Sequence, residues 1–495
     1  MSLTGFWRER PNLSRALLFA ALALVSLPFL DIELHRPDPW QELGRIGLGL
    51  LQPRWDDAAS LAQAVLYTLA FAFCAVTLAV AAGGVLALFY HRWPVRVACA
   101  ATRAVHELFW GLLFMQFFGL SALTGVLAIA LPFSGIFARV FADIFAEQST
   151  LPRQVIAPGR VSLSALCYTT LAQAWPQLTS YLRYRFECAL RSSAILGFIG
   201  LPTVGFHLES AFRQGDYAEA ACLLWVFYVM IATLRWWLDR RLIPLYCLIA
   251  FFVLPPSPPV SVSLLGEFVT RDIWPLALRE GDYIGALAWY AQEVTRVVLP
   301  AAAYTVMLSL VALAAAGVVV LFLFPIASRV CVGRLAIAGH ALLVFVRSTP
   351  ELLLAFVFLL LVGPSALPAI LALAIHNGGL VSYLTAREAD RLPLRADHAH
   401  GINLWAYELV PRLFPRMFAL LLYRWEVMMR ESAILGILGV ATLGFYVDSA
   451  FAQFRMDRAF LLIAATALLN IAADAVSQRV NRGLRFEADA LARDC

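Results

Sequence analysis

Uninterrupted apolar runs long enough to cross a bilayer recur along this chain, and they limit its fold more than any other feature. The runs at 64–90 and 297–324 each exceed the roughly 20 residues that a helix needs to span the hydrocarbon layer. Lipid offers no partner for free backbone N–H and C=O groups, so only helices and closed strand barrels can span it. A barrel needs short segments that alternate apolar and polar residues, and these runs do not alternate. The composition agrees: 61% of the residues are hydrophobic and 14% charged, where a soluble chain is about a quarter charged. The expectation is an all-α polytopic membrane protein.

Twelve spans are expected, six in each half. They fall at about 16–31, 64–90, 101–120, 122–142, 165–190 and 218–238, then at 239–254, 297–324, 338–362, 367–386, 415–437 and 459–477. Arg8, Arg10 and Arg15 precede the first apolar run, which lacks a small-residue cleavage site and reads as a retained helix rather than a signal peptide. Arginine placement sets the orientation. Putting the basic segments 91–96, 146–162, 239–241, 391–395 and 479–485 inside leaves both termini in the cytoplasm, with 31–57 and 261–293 as outer segments. A bacterial inner membrane fits this pattern.

Several function classes drop out. All 38 basic residues are arginine, so a phosphate-binding GxxxxGK[ST] loop and lysine Schiff-base chemistry are both absent. The net charge of +5 fits arginine-rich cytoplasmic loops better than nucleic-acid binding. The eight cysteines form no CxxC pair, so no disulfide framework or zinc site is indicated. No HExxH or GxSxG occurs, and His398 with His400 is the one dense histidine pair. The residues therefore point to no catalytic site and no metal site.

The chain is internally doubled. Tyr184–Phe212 aligns with Tyr423–Phe451 at a constant offset, with 16 identities in 29 positions. Upstream, Arg103 and Glu107 correspond to Arg347 and Glu351, and Pro176 corresponds to Pro415. The repeats are residues 1–240 and 241–495. Six spans per repeat make the copies parallel, related by a pseudo-two-fold axis along the membrane normal with a shared pathway between them.

Charge recurs inside the apolar regions at helical spacing. Arg103 with Glu107, Arg347 with Glu351, Glu187 with Arg191 and Glu426 with Arg430 are each four apart, which puts both partners on one face of a helix. Charges at membrane depth usually face a cavity or a bundle interior. Two readings stay open: the pairs lock helices together, or some of the arginines line a route for an anion. The phrases RSSAILGFIGLPTVGF and RESAILGILGVATLGF carry glycines at Gly197, Gly200, Gly436 and Gly439. Glycines at this spacing allow close backbone approach or a broken helix, and broken helices are tolerated in membranes only against protein or a cavity. The motif is therefore placed at the meeting of the two halves. Ser192 aligns with Glu431, so the halves differ where a homodimer could not.

The order R-x-x-P-E (Arg347, Pro350, Glu351), His376 to Gly379, Pro411 and Pro415, YRWE (Tyr423 to Glu426) and R-x-S-x-x-L-G-x-x-G (Arg430 to Gly439) resembles the permease subunit of phosphonate-type ABC importers, within the type I importer permease fold. The resemblance covers about 335–485 well. It covers 95–240 more weakly, with His106 where the motif has proline and Pro132-Phe133 in place of His376-Asn377.

It implies two fused permease units that work with two copies of a cytoplasmic ABC ATPase and with a periplasmic or lipid-anchored binding protein. ATP and magnesium would then sit on the ATPase, with no cofactor on this chain. It also implies coupling loops at 392–411, with Asp397, His398 and Gly401, and at 151–169, with Gly159 and Arg160. The substrate it implies is phosphonate, phosphite or hypophosphite. Another oxyanion, ferric iron (some of whose importers also use fused permeases) and an ion-coupled carrier with parallel repeats stay open as alternatives.

Overall fold

The computed structural model describes residues 11–34, 38–55, 57–156, 163–239, 241–257, 262–395 and 397–491. Every regular element among them is a helix, as backbone satisfaction in lipid requires. Six helices among the described residues are long and apolar enough to cross a membrane, or eight if each of two bent pairs is one span. The chain is an all-α multi-pass membrane protein, and the expected count of twelve spans is not confirmed among the described residues. Two expected spans, 101–120 and 338–362, break, at Val105–His106 and at Thr349–Pro350. Others, such as Tyr217–Ala232 and Ile243–Val253, are too short to pass on length.

The described chain forms two compact units, residues 45–269 and residues 1–44 with 270–495. These units do not coincide with the repeats 1–240 and 241–495, because the first helix of each repeat packs in the unit built from the other. Pro11–Ser26 lies on Leu299–Ala327 and Val410–Ser432. There the Phe19 ring meets Trp425 at 5.5 Å and Phe418 at 6.2 Å. Ile243–Val253 lies on Ala58–Leu88, with Tyr246 5.5 Å from Phe73 and Cys247 Sγ 3.1 Å from Thr77 Oγ1.

Each unit is built around one long helix pair joined by small residues. Ala58–Leu88 packs along Ala122–Glu147, and a Cβ on Gly83 would lie 2.6 Å from Phe137 Cβ. Leu299–Ala327 packs along Ala366–Ala389, and a Cβ on Gly378 would lie 2.6 Å from Val319 Cγ1. Between membrane helices, packing must supply what the hydrophobic effect supplies in water, and small residues let the backbones approach.

The glycine phrase folds the same way in both units. A helix ends at Ile195 or Ser432, a short 3₁₀ turn follows, and Gly200 or Gly439 takes a left-handed φ of +92° or +88°. A second helix then starts at Val204 or Leu443. The two helices of the first copy bend by 54°, so the broken span read from the glycines is present. The backbones cross closely enough that a Cβ on Gly197 or Gly436 would collide with the main chain of Phe206 or Phe445. A Cβ on Gly205 or Gly444 would collide with the carbonyl of Ala194 or Ala433. The break frees backbone amides, and a buried threonine on the long helix takes one in each unit. Val204 N–H donates to Thr68 Oγ1 at 2.9 Å, and Leu443 N–H donates to Thr305 Oγ1 at 3.0 Å.

Gly205→Ala and Gly444→Ala should therefore each cost about 1–3 kcal/mol by overpacking. Gly84→Ala, whose new Cβ would meet nothing within 4 Å, should cost none. Thermal unfolding of the detergent-solubilised chain checks the contrast; equal midpoints for all three variants would refute the crossing.

Candidate functional site

The charge pairs divide into two kinds. Glu187 with Arg191 lies within the continuous helix Ala172–Ile195, and Glu426 with Arg430 lies within Val410–Ser432, so each pair shares a helix face as expected. Arg103 with Glu107 and Arg347 with Glu351 do not. One helix ends at Ala104 and the next begins at Glu107, turned by 94°. One ends at Ser348 and the next begins at Glu351. Pro350 causes the second break, since proline cannot continue a helix and pushes the preceding residue to extended φ and ψ. In the first copy His106 takes the same extended backbone and its Nδ1 caps the new helix, accepting from Leu108 N–H at 3.1 Å. The consequence is that Glu107 and Glu351 open their helices and point to neighbouring elements.

In residues 270–495 those neighbours form a buried polar cluster. Glu351, His376, Asn377 and Glu431 are all buried. His376 Nε2 lies 3.6 Å from Glu351 Oε2. One oxygen of each carboxylate and one nitrogen of His376 lie within 4.8 Å of one another. Arg424 donates from Nε to Asn377 Oδ1 at 2.6 Å and approaches Glu431 Oε1 with Nη2 at 3.5 Å. Asn377 Nδ2 donates to Glu431 Oε2 at 3.2 Å. The guanidinium of Arg347 lies 4.7 Å over the Tyr383 ring.

The corresponding place in residues 45–269 is built differently. Ser192 stands where the other copy has Glu431, and its hydroxyl donates to Glu107 Oε1 at 2.6 Å. His106 Nε2 lies 3.4 Å from Glu107 Oε2. Arg185, the counterpart of Arg424, donates from Nε to Tyr181 Oη at 2.8 Å. Its guanidinium lies 5.5 Å from the Phe133 and Tyr181 ring centres and 5.7 Å from that of Tyr184. Sequence reasoning did not select Arg185, Arg424, His106, His376 or Asn377 as site residues. The two arginines were within reach, since they occupy matched positions of the repeated YR[FW]E phrase. The histidines and Asn377 gave no repeat signal, because their counterparts differ.

Over 455 residues, 84% of each chain, the sequence is 30% identical to the phosphate-import permease protein PhnE of Mycolicibacterium smegmatis. The chain belongs to the phosphonate-type ABC importer permeases. It is also 33% identical over 137 residues, 28% of this chain and 50% of the relative, to the phosphite transport system permease protein PtxC of Stutzerimonas stutzeri. A cryptic phosphonate transport system permease protein of Escherichia coli, PhnE2, is 30% identical over 118 residues, 24% of this chain and 96% of the relative. No family model and no solved structure matches.

The permease loops named from sequence are partly visible. Gly159 and Arg160 lie outside the described residues. Asp397, His398 and Gly401 are described, and the stretch before Gly401 is irregular rather than helical. Gly401 has φ +62° and helical structure begins at Ile402. The loop is anchored from beneath by Glu408, whose Oε1 accepts from Arg395 N–H and from Arg412 Nη1, both at 3.0 Å. Tyr168 and Tyr407 occupy matched positions of the repeat, and each is 80% exposed.

The buried network predicts an asymmetric mutational response. Arg424→Met removes a partner from a buried carboxylate and should cost about 3 kcal/mol or more. Arg416→Met breaks an exposed ion pair with Glu388 and should cost under about 1 kcal/mol. Chemical or thermal unfolding in one detergent gives both values, and a smaller loss for Arg424→Met than for Arg416→Met would contradict the network.

Proposed function

We propose that this permease imports a small phosphorus oxyanion, with ATP hydrolysed by partner subunits. The observation that carries the reading is the similarity across 84% of the chain to a permease named for phosphate import, joined by shorter similarities to permeases named for phosphite and phosphonate transport. The substrate class is phosphate, phosphonate, phosphite or hypophosphite, all compact tetrahedral anions that arginine recognises through paired N–H donors. Selection among them falls to a binding protein outside the membrane. The chain works in a bacterial inner membrane with both termini in the cytoplasm, and the anion passes between the fused halves. Arg191 and Arg430 are the arginines assigned to its route.

Coupling to two copies of an ABC ATPase runs through the loops at 151–169 and 392–411. The matched, exposed Tyr168 and Tyr407 support this. A tyrosine exposed at the same register of both copies offers a large amphipathic side chain of the kind enriched at protein interfaces. Exposed Ile402, beside the left-handed Gly401, extends the same surface in the second copy.

Expression of the chain with its ATPase and binding protein, in a host stripped of its own phosphorus uptake systems, tests the function. Labelled phosphate, phosphite or methylphosphonate should enter in an ATP-dependent manner. Arg191→Gln with Arg430→Gln should lower that uptake at least tenfold at normal protein level; unchanged rate and affinity would remove these arginines from the route. Tyr168→Ala with Tyr407→Ala should release the ATPase during mild-detergent purification, giving a lone chain in place of a complex with two ATPase copies. Ion-gradient-driven uptake by the chain alone would replace the whole reading with a secondary carrier.

A further inference from the structure

We propose that a cleft walled by Arg329, Arg387 and Arg391 binds a phosphate group, carried by a lipid headgroup or by a free phosphate ion. The cleft lies within residues 270–495, at the end of the helix Ala366–Ala389. Tyr383 and Arg387 share one face of that helix, and Arg391 follows in the turn that closes it. Arg329 comes from a different element, the start of the short segment Arg329–Val332. With His340 these residues surround an open cleft of about 560 Å³. Small-molecule sites span about 300–1,000 Å³, so a phosphate group and part of what carries it fit.

The positive charge in this cleft is not spent on the protein. Asp390 is the one carboxylate in the wall, and its Oδ1 accepts from Ser328 Oγ at 2.7 Å and from Val330 N–H at 3.3 Å. Arg329, Arg387 and Arg391 are exposed, and none of them forms an ion pair among the described residues. Arg387 lies 5.9 Å over the Tyr383 ring, which His340 meets edge-on at 5.5 Å. Such a ring contact positions a guanidinium without neutralising it. Guanidinium groups recognise phosphate through paired N–H donors. Basic clefts between membrane helices on the cytoplasmic side suit phospholipid headgroups. Exposed Ile337, in the wall of the cleft, and exposed Leu335 beside it offer apolar surface to an acyl chain.

Arginine at a cytoplasmic helix end is also a topology signal, and any helix C-terminus favours cations. The first copy separates those roles from binding. Its matched helix, Ala122–Glu147, carries Asp143 and Glu147 where the second copy has Arg387 and Arg391. Arg139 and Arg96 stand there in place of Tyr383 and His340. Parallel repeats put both helix ends on one side of the membrane, so neither topology nor the helix dipole requires arginine at 387 and 391. The four matched charges of the first copy cancel, and those of the second add. The cytoplasmic placement rests on the orientation proposed above; the binding does not.

The test uses the full chain in mild detergent and needs no transport, so it stands apart from the uptake assay. One arm titrates the delipidated chain with phosphatidylglycerol, or with phosphatidylcholine as the zwitterionic baseline, and counts bound lipid by native mass spectrometry. The other arm measures labelled inorganic phosphate by equilibrium dialysis. One anion per chain is expected above baseline in at least one arm. Arg329→Gln and Arg391→Gln should each weaken it about fivefold or more. Arg334→Gln, which removes an exposed charge outside the cleft, should leave it unchanged. Arg387→Asp with Arg391→Glu installs the residues of the first copy and should abolish it, with the melting midpoint checking that the variant folds. Phosphatidylglycerol that excess phosphate does not displace assigns the site to a lipid headgroup, and phosphate bound without lipid assigns it to the free ion. Binding in neither arm overturns the proposal. So does an equal loss in Arg334→Gln and Arg329→Gln, which would place the attraction on the basic surface as a whole.

Discussion

A helix interrupted inside a membrane leaves backbone amides that lipid cannot satisfy, and the rest of this structure depends on how that is solved. In both units the span ending in AILG breaks, turns through a left-handed glycine and starts again. The restart is possible because a buried threonine on the central helix accepts the first free amide. It is compact because Gly205 and Gly444 let one backbone lie directly on the carbonyl of another. The threonines then tie the broken span to the central helix of each unit, which fixes the position of Ser192 or Glu431 before the break.

That placement connects the fold to the polar cluster. The helix opening at Glu351 exists because the chain cannot stay helical through Pro350, and the one opening at Glu107 starts after an extended His106 that caps it. Each break aims a carboxylate at the end of the AILG helix. There the two copies part, with a serine in one and a second carboxylate in the other. Fusion into one chain allows a sequence to keep both arrangements, since each occurs once and neither has to satisfy a symmetry axis.

Much of this was legible in advance. The all-α membrane class followed from run length, the doubling from the aligned phrases, and the broken span from glycine spacing. The Glu187–Arg191 and Glu426–Arg430 pairs lie on continuous helices as their spacing requires. The spacing of Arg103 with Glu107 and of Arg347 with Glu351 misled, because a separation of four residues means one helix face only where the helix continues. The cluster around His376 was not visible, because its members come from positions 351, 376, 377, 424 and 431, spread over three helices, and local motifs carry no information about such meetings.

The sequence by itself determined that the chain is helical, membrane-embedded and duplicated, since hydrophobicity, backbone satisfaction and glycine freedom act locally and leave a local record. Tertiary structure alone decided which unit each first helix joins, where Pro11–Ser26 settles against Trp425 and Ile243–Val253 against Phe73. It also decided the proton position on each histidine, which depends on whether a backbone carbonyl or a backbone amide lies beside Nδ1. Both are long-range choices, made by packing and by the direction of a hydrogen bond, and residue order does not encode either until the helices are in place.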